Sequence, residues 1–384
     1  MTKSKLAGST EQRPQAPVPA ARRRSPMMDA RHLTVHGVCP LNAETRPEEL
    51  SRAEVTPIGV FFVRTHGGIP QPDVRTFQLT VDGEVRFPMA LALPELRSRF
   101  ARVTVPATLA CAGNRRNELR PSPPGIPWGP GAIGTATWSG VRLRDVLHAA
   151  GLTPQARQVA FTGLDDVGGE RFAGSIPIEK ALAAEVLLAD EMNGARLPAE
   201  HGFPLRVVVP GYIGARSVKW LAAVTVTREP STSAFQRKDY TLHGAPLGEP
   251  PVTSAVCRPA DGEVVGTRVR LEGYAVGAGG RPVAQVEVSA DAGRTWSLAT
   301  LHGRPQPWTW QLWHADLYLP SGVRELVARA TDPGGTRQPR RVDTIGNPGG
   351  YLNNSWHRIR VIAIPDRAAT RDSLRPPTRR TTSS

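Results

Sequence analysis

Cysteine is scarce in this chain and never clustered. Cys39, Cys111 and Cys257 are the three in 384 residues, with no Cys-x-x-Cys pair and no His/Cys grouping beside any of them. That argues against a disulfide scaffold and against a zinc site built from the chain alone. The absence of a Cys-x-x-Cys-His string removes the usual haem attachment. No apolar run approaches the ~20 residues of a membrane span. Acidic residues are also in deficit, 34 Asp and Glu against 48 Lys and Arg, for a formal charge of +14. Much of that excess lies at the ends: residues 1–28 hold six Lys/Arg and one Glu, and residues 366–384 hold five Arg and two Asp. Both stretches are rich in Pro, Ser, Thr and Arg, and are expected to be disordered basic tails. Solvated tails are the simpler reading of this charge, so no nucleic-acid partner is expected. In Ala21-Arg-Arg-Arg-Ser-Pro-Met-Met-Asp29 the arginines suggest an export signal, but Asp29, Arg31 and His32 stand where its apolar segment would begin. The chain as written is therefore read as lacking a signal peptide and as cytoplasmic, or periplasmic if the start codon lies elsewhere.

What the sequence has in abundance is punctuation, 37 glycines and 37 prolines. Loops should be long and should carry the site. Over residues 29–243, β-like stretches such as 77–83 and 205–210 alternate with helix-like pieces at 143–150 and 178–183, which predicts a mixed α/β domain. Over residues 244–365, short alternating runs at 268–275 and 283–289, with a turn signal at Asp291-Ala-Gly, predict an antiparallel β-sandwich. The fold class expected is α+β.

Thr108-Leu-Ala-Cys-Ala-Gly-Asn-Arg-Arg116 sets one cysteine between an apolar run and a Gly-Asn turn that delivers Arg115 and Arg116. A lone soft thiolate suits a transition metal whose other ligands arrive with a sulfur-rich cofactor, and arginines suit an oxyanion substrate. Cys39 and Cys257 have no such setting and read as structural.

The string Cys111-Ala-Gly-Asn-Arg-Arg116 resembles the core signature of the sulfite oxidase family of molybdenum enzymes. Further matching segments follow in family order: 61–66 (Phe-Phe-Val-Arg-Thr-His), 131–138, 161–165, 200–206 (Glu-His-Gly-Phe-Pro-Leu-Arg), 210–220 and 236–240. The resemblance covers most of residues 50–365. It implies a Mo-molybdopterin cofactor, with Cys111 as the protein's metal ligand. It places Phe62, Val63, Arg64, Thr65, His66, Asp165, His201, Arg206, Ser217, Val218 and Lys219 around the pterin and its phosphate. Arg64, Arg116, Trp128 and Tyr240 would join Cys111 at the reacting centre. It also implies that residues 244–365 form an immunoglobulin-like dimerisation domain, including Trp308, Trp310, Trp313 and Asn353-Asn-Ser-Trp-His-Arg358, so a homodimer burying exposed aromatic surface is expected. A chain ending near Tyr240 should then lose the dimer and keep some cofactor.

The implied activity is a prokaryotic-type oxidation of sulfite to sulfate by oxo transfer, without a haem domain and with electrons leaving to an external acceptor such as a cytochrome. The alternatives are a relative with another substrate (a sulfane-sulfur dehydrogenase component, or a nitrate or sulfoxide reductase) and a non-enzymatic binding protein. The sequence departs from the family at Thr65, where an asparagine is usual, and at Gly349-Gly350, where animal and plant enzymes carry a further substrate arginine.

Overall fold

The computed structural model describes residues 28–342 and 347–365. The tails expected at 1–28 and 366–384 lie, Met28 apart, outside the described residues. The first domain is built on two five-stranded sheets. One runs Met89–Ala92, Gln78–Gly83, Leu221–Thr227, Gln158–Val167, Glu170–Pro177, with Gln78–Gly83 parallel to Leu221–Thr227. The other runs Ala195–Arg196, Leu187–Met192, Ile133–Arg142, Arg102–Ala110, with Arg206–Val208 also pairing Leu187–Met192. A third, three-stranded sheet joins Leu33–Val38, Leu41–Thr45 and Val63–Arg64.

Helices are short and amphipathic. In Leu143–Ala150 the buried residues are Leu143, Val146, Leu147 and Ala150, one stripe at helical spacing. Gly151, at φ 70°, ends it by turning its N–H onto the carbonyls of Leu147 and His148. The strand expected over 205–210 is only Arg206–Val208, because the Val209 amide is diverted to the Ser217 hydroxyl at 3.0 Å.

The second domain is two facing sheets. Thr253–Arg258, Arg268–Val276, Gln311–Tyr318 and Thr300–Leu301 form one, and Val264–Gly266, His357–Ile364, Gly322–Thr331, Gln285–Ser289 and Ser297–Leu298 the other. Leu271, Ala275 and Trp313 of the first meet Val286, Leu326, Ala328 and Val361 of the second in one core. The pairing is antiparallel, as expected, except at one edge, where Val264–Gly266 runs parallel to His357–Ile364. The expected aromatic surface is also absent from the tryptophans: Trp310 and Trp313 are buried, and Trp308 packs against the first domain's core. The exposed apolar face is instead mainly aliphatic, with Val264 and Val323 both paired in register to Ile362.

The two domains share a core. Leu50 and Ile133 of the first pack with Ala255, Tyr274, Trp310 and Leu312 of the second. Thr108 and Trp310 tie the backbones together, the Thr108 amide donating to Trp308 O and its hydroxyl accepting from the Trp310 amide, both at 2.8 Å.

Candidate active site

Strand Arg102–Ala110 pairs residue for residue with Ile133–Arg142, so the chain reaches Cys111 at a fixed height above the sheet. There it coils tightly. The Cys111 amide donates to Ala132 O at 2.9 Å, the Asn114 amide to Cys111 O at 3.0 Å, and the Arg116 amide to Gly113 O at 3.0 Å. The Cys111 sulfur accepts from the Gly113 amide at 3.4 Å.

This coil separates the two arginines that the sequence places side by side. Arg115 sits at φ 66° and is fully buried, paired with Glu118 at 2.7 Å and donating to Ser254 O and Ser355 O of the second domain. It is a domain tie and does not face the pocket. Arg116 does: one guanidinium nitrogen donates to Ile126 O at 3.0 Å, the Nε has no partner, and the Tyr351 ring lies 5.1 Å away.

Cys111 stands where two cavities meet. The first, about 690 Å³, is lined by Phe62, Arg64, Thr65, His66, Asp165, His201, Arg206, Ser217, Val218, Lys219 and Tyr240 among others. Of the expected cofactor residues, Val63 alone is outside it. Val63 lies on a strand where side chains alternate, and it faces the interior, fully buried. Arg206 donates to His201 O and Ser217 O, both at 2.9 Å, and Lys219 to Glu200 O at 2.9 Å. Gly202, at φ 110°, permits the turn, since a Cβ there would stand 3.0 Å from the Lys219 side chain.

Several buried polar atoms have no partner: His201 Nε2, Arg206 Nε and Asp165 Oδ1. Orphans of this kind are rare in a finished core. Burial pushes Lys219 down to about 7, with Arg206 adding to the effect, and Arg206 itself to about 9. Burial likewise holds His201 at about 3 and His66 at about 2, both neutral, and raises Asp165 to about 6. A cavity with surplus cations and unpaired donors matches a group bearing phosphate, and Asp165 offers an acceptor for ring N–H groups. The molybdopterin expected from the sequence fits these donors. Among the described residues no cluster of three His, Cys, Asp or Glu side chains is placed to hold a metal, and Cys111 is the one cysteine among the residues lining either cavity.

The second cavity, about 850 Å³ and more open, is lined by Arg64, Cys111, Arg116, Trp128 and Tyr240, and by Asn42, Gly349 and Tyr351. Arg64 donates to Asn42 Oδ1 at 3.1 Å and to Thr65 O at 2.6 Å. Tyr240 O–H and His66 Nε2 are 2.8 Å apart, and His66 stacks on Phe172 at 4.7 Å. Trp128 is wholly buried, on a loop gripped by Glu44, whose two oxygens accept from the Gly129 and Gly131 amides at 3.0 and 3.1 Å.

Residues 66–235 match the family model described as an oxidoreductase molybdopterin binding domain, and residues 246–364 match the one described as a Mo-co oxidoreductase dimerisation domain. Sulfite oxidase of Arabidopsis thaliana is 37% identical over 367 residues, covering 85% of this chain and 93% of that protein. The chain belongs to the sulfite oxidase family. It is a molybdopterin-binding oxidoreductase. Human mitochondrial sulfite oxidase is 44% identical over 361 residues, and the match spans 87% of this chain and 66% of the human protein. The sulfane dehydrogenase SoxCD of Paracoccus pantotrophus has a similar structure, with a TM-score of 0.74, 26% identity and 84% of each chain covered.

Sequence reasoning missed Asn42, Phe172 and Tyr351. Asn42 and Tyr351 sit outside the motifs that carry the resemblance, and Phe172 follows a turn with no chemical signal of its own. From the second domain, the described residues that line the second cavity are Gly349 and Tyr351.

Proposed function

We propose that the protein oxidises sulfite to sulfate, taking one oxygen atom from water and releasing two electrons and two protons, with the electrons passed to an external acceptor such as a cytochrome. The observation that carries this reading is the position of Cys111 between a donor-rich cofactor cavity and a pocket where Arg64 and Arg116 have no carboxylate partner among the described residues. Bound molybdopterin would supply a molybdenum that Cys111 ligates and that accepts the two electrons of an oxygen-atom transfer. The chain supplies the rest. Arg64 and Arg116 bind the oxyanion through charge-assisted donors. Trp128 and Tyr240 wall the pocket against bulk water. Neutral His66 can accept a hydrogen bond from the Tyr240 hydroxyl, which holds the phenol in place at the pocket wall.

Molybdenum-loaded protein, assayed with sulfite and ferricyanide or cytochrome c, should turn over; activity solely with reduced viologen and nitrate would sink this reading. A second reading, a sulfane-sulfur dehydrogenase component, is favoured by the likeness to SoxCD and by the open, partly aromatic pocket. We place the domains at residues 29–243 and 244–365, the second immunoglobulin-like, and infer a homodimer that covers the Val264, Val323 and Ile362 face. Light scattering at micromolar concentration should give twice the chain mass.

A further inference from the structure

We propose that Tyr351, reaching across from the second domain, is a substrate-binding residue that donates its phenol hydroxyl to the oxyanion held by Arg64 and Arg116. The inference rests on the oxyanion reading of the pocket given above.

The loop that presents Tyr351 is built with unusual care for a surface connection. Asn347 closes it from both sides, accepting from the Tyr351 amide at 3.0 Å and donating to Tyr351 O at 2.8 Å. The Leu352 amide then donates to Ala112 O at 2.7 Å, and Asn353 to Arg115 O at 2.9 Å, so the segment is stapled to the coil that carries Cys111. Two glycines make the path sterically possible. A Cβ at Gly349 would stand 2.3 Å from the Tyr351 ring, and one at Gly350, φ 58°, would stand 2.5 Å from Pro123 and 3.1 Å from Arg116. Any side chain at 349 would therefore displace the tyrosine ring.

Held this way, the ring does two things. It lies 5.1 Å from the Arg116 guanidinium carbon, giving that cation an aromatic neighbour, and 5.5 Å from the Tyr240 ring, closing the wall beside the reacting centre. Its hydroxyl has no hydrogen-bond partner among the described residues, although the side chain lines the pocket. A half-buried phenol O–H, in a pocket lined by two guanidiniums that lack a carboxylate partner among the described residues, is a donor without an acceptor, and a sulfur oxyanion supplies one. The pocket thus offers two positive charges and one neutral donor, a set matched to a small dianion.

The test uses molybdopterin-loaded full-length protein and sulfate as a non-reacting probe, with binding measured by calorimetry and sulfite oxidation measured in parallel. Tyr351→Phe keeps the ring over Arg116 and removes only the hydroxyl. It should weaken sulfate and raise the sulfite KM by about tenfold or more, the scale of a hydrogen bond to a charged acceptor, with kcat within about twofold. Tyr351→Leu should weaken both further, because Arg116 loses its cover. Unchanged sulfate affinity and unchanged KM in Tyr351→Phe would overturn the proposal while leaving the oxyanion pocket standing. If the unaltered loaded protein bound no sulfate and left sulfite unoxidised, the oxyanion reading itself would fall, and this inference with it.

Discussion

The sulfur of Cys111 is held by one amide contact, from Gly113, in a coil closed by backbone bonds and by the side chains of Asn114, Arg115 and Arg116. Cys111→Ser should therefore leave the fold intact, at a stability cost within about 1–3 kcal/mol, and should leave pterin binding largely in place, because the phosphate-facing donors are elsewhere. Replacing a soft donor with a hard one should abolish sulfite oxidation; near-normal turnover with normal pterin content would refute the ligand role. Lys219 gives a prediction of opposite kind. Burial sets it at about 7 in the cofactor-free protein, below the ordinary lysine value. A phosphate dianion would favour the charged form, so binding takes up a proton once pH exceeds about 7. Cofactor affinity should fall as pH rises from 7 toward 10, by up to ~10-fold per unit. The cofactor-free fold should respond the other way, because the unfolded chain binds the extra proton across the same window and its stability from this group rises with pH. Pterin retention after dialysis at graded pH, read beside the melting temperature, separates the two; affinity rising with pH would show that Lys219 does not face the phosphate.

Among the elements, the loop of residues 128–131 has two of its amides closed by a single carboxylate. Glu44 receives both loop amides and lies 2.8 Å from His36 Nε2, while the His36 ring packs edge-on to Trp128 at 5.0 Å. Glu44→Gln would turn an N–H₂ toward one of those amides. It should cost about 1–3 kcal/mol, shift Trp128 fluorescence and raise the sulfite KM more than it lowers kcat; an unaltered melting temperature and KM would show that the loop holds itself. Elements with strong local pattern were legible in the sequence. Leu143–Ala150 carries its own apolar stripe and its terminating glycine, and the strand at residues 268–276 carries its own alternation. What stayed hidden depends on contacts made far along the chain. No pattern near residue 115 announces the left-handed turn that sends Arg115 away from Arg116, and nothing near 351 reveals an arginine some 235 positions earlier. Likewise, Trp308 and Trp310 look like surface for a partner until the first domain is seen to be that partner.

For the whole molecule, the shared core revises what truncation should do. A chain ending at Tyr240 would uncover Leu50 and Ile133 and leave Arg115 with neither Ser254 O nor Ser355 O. A buried cation stripped of its acceptors is costly. Such a chain should fail to hold pterin and should aggregate, and the full-length protein should melt in one transition; two calorimetric peaks, or a soluble pterin-bound fragment, would show the domains to be separable. The Leu352 amide on Ala112 O has a consequence for timing. A ribosome delivers Cys111 long before residue 352, and domains made first tend to fold first, yet the carbonyl next to Cys111 lacks its Leu352 amide until some 240 further residues have been added. Metal insertion should accordingly wait for residue 352 to leave the ribosome, and nascent chains stalled before it should take up no molybdenum.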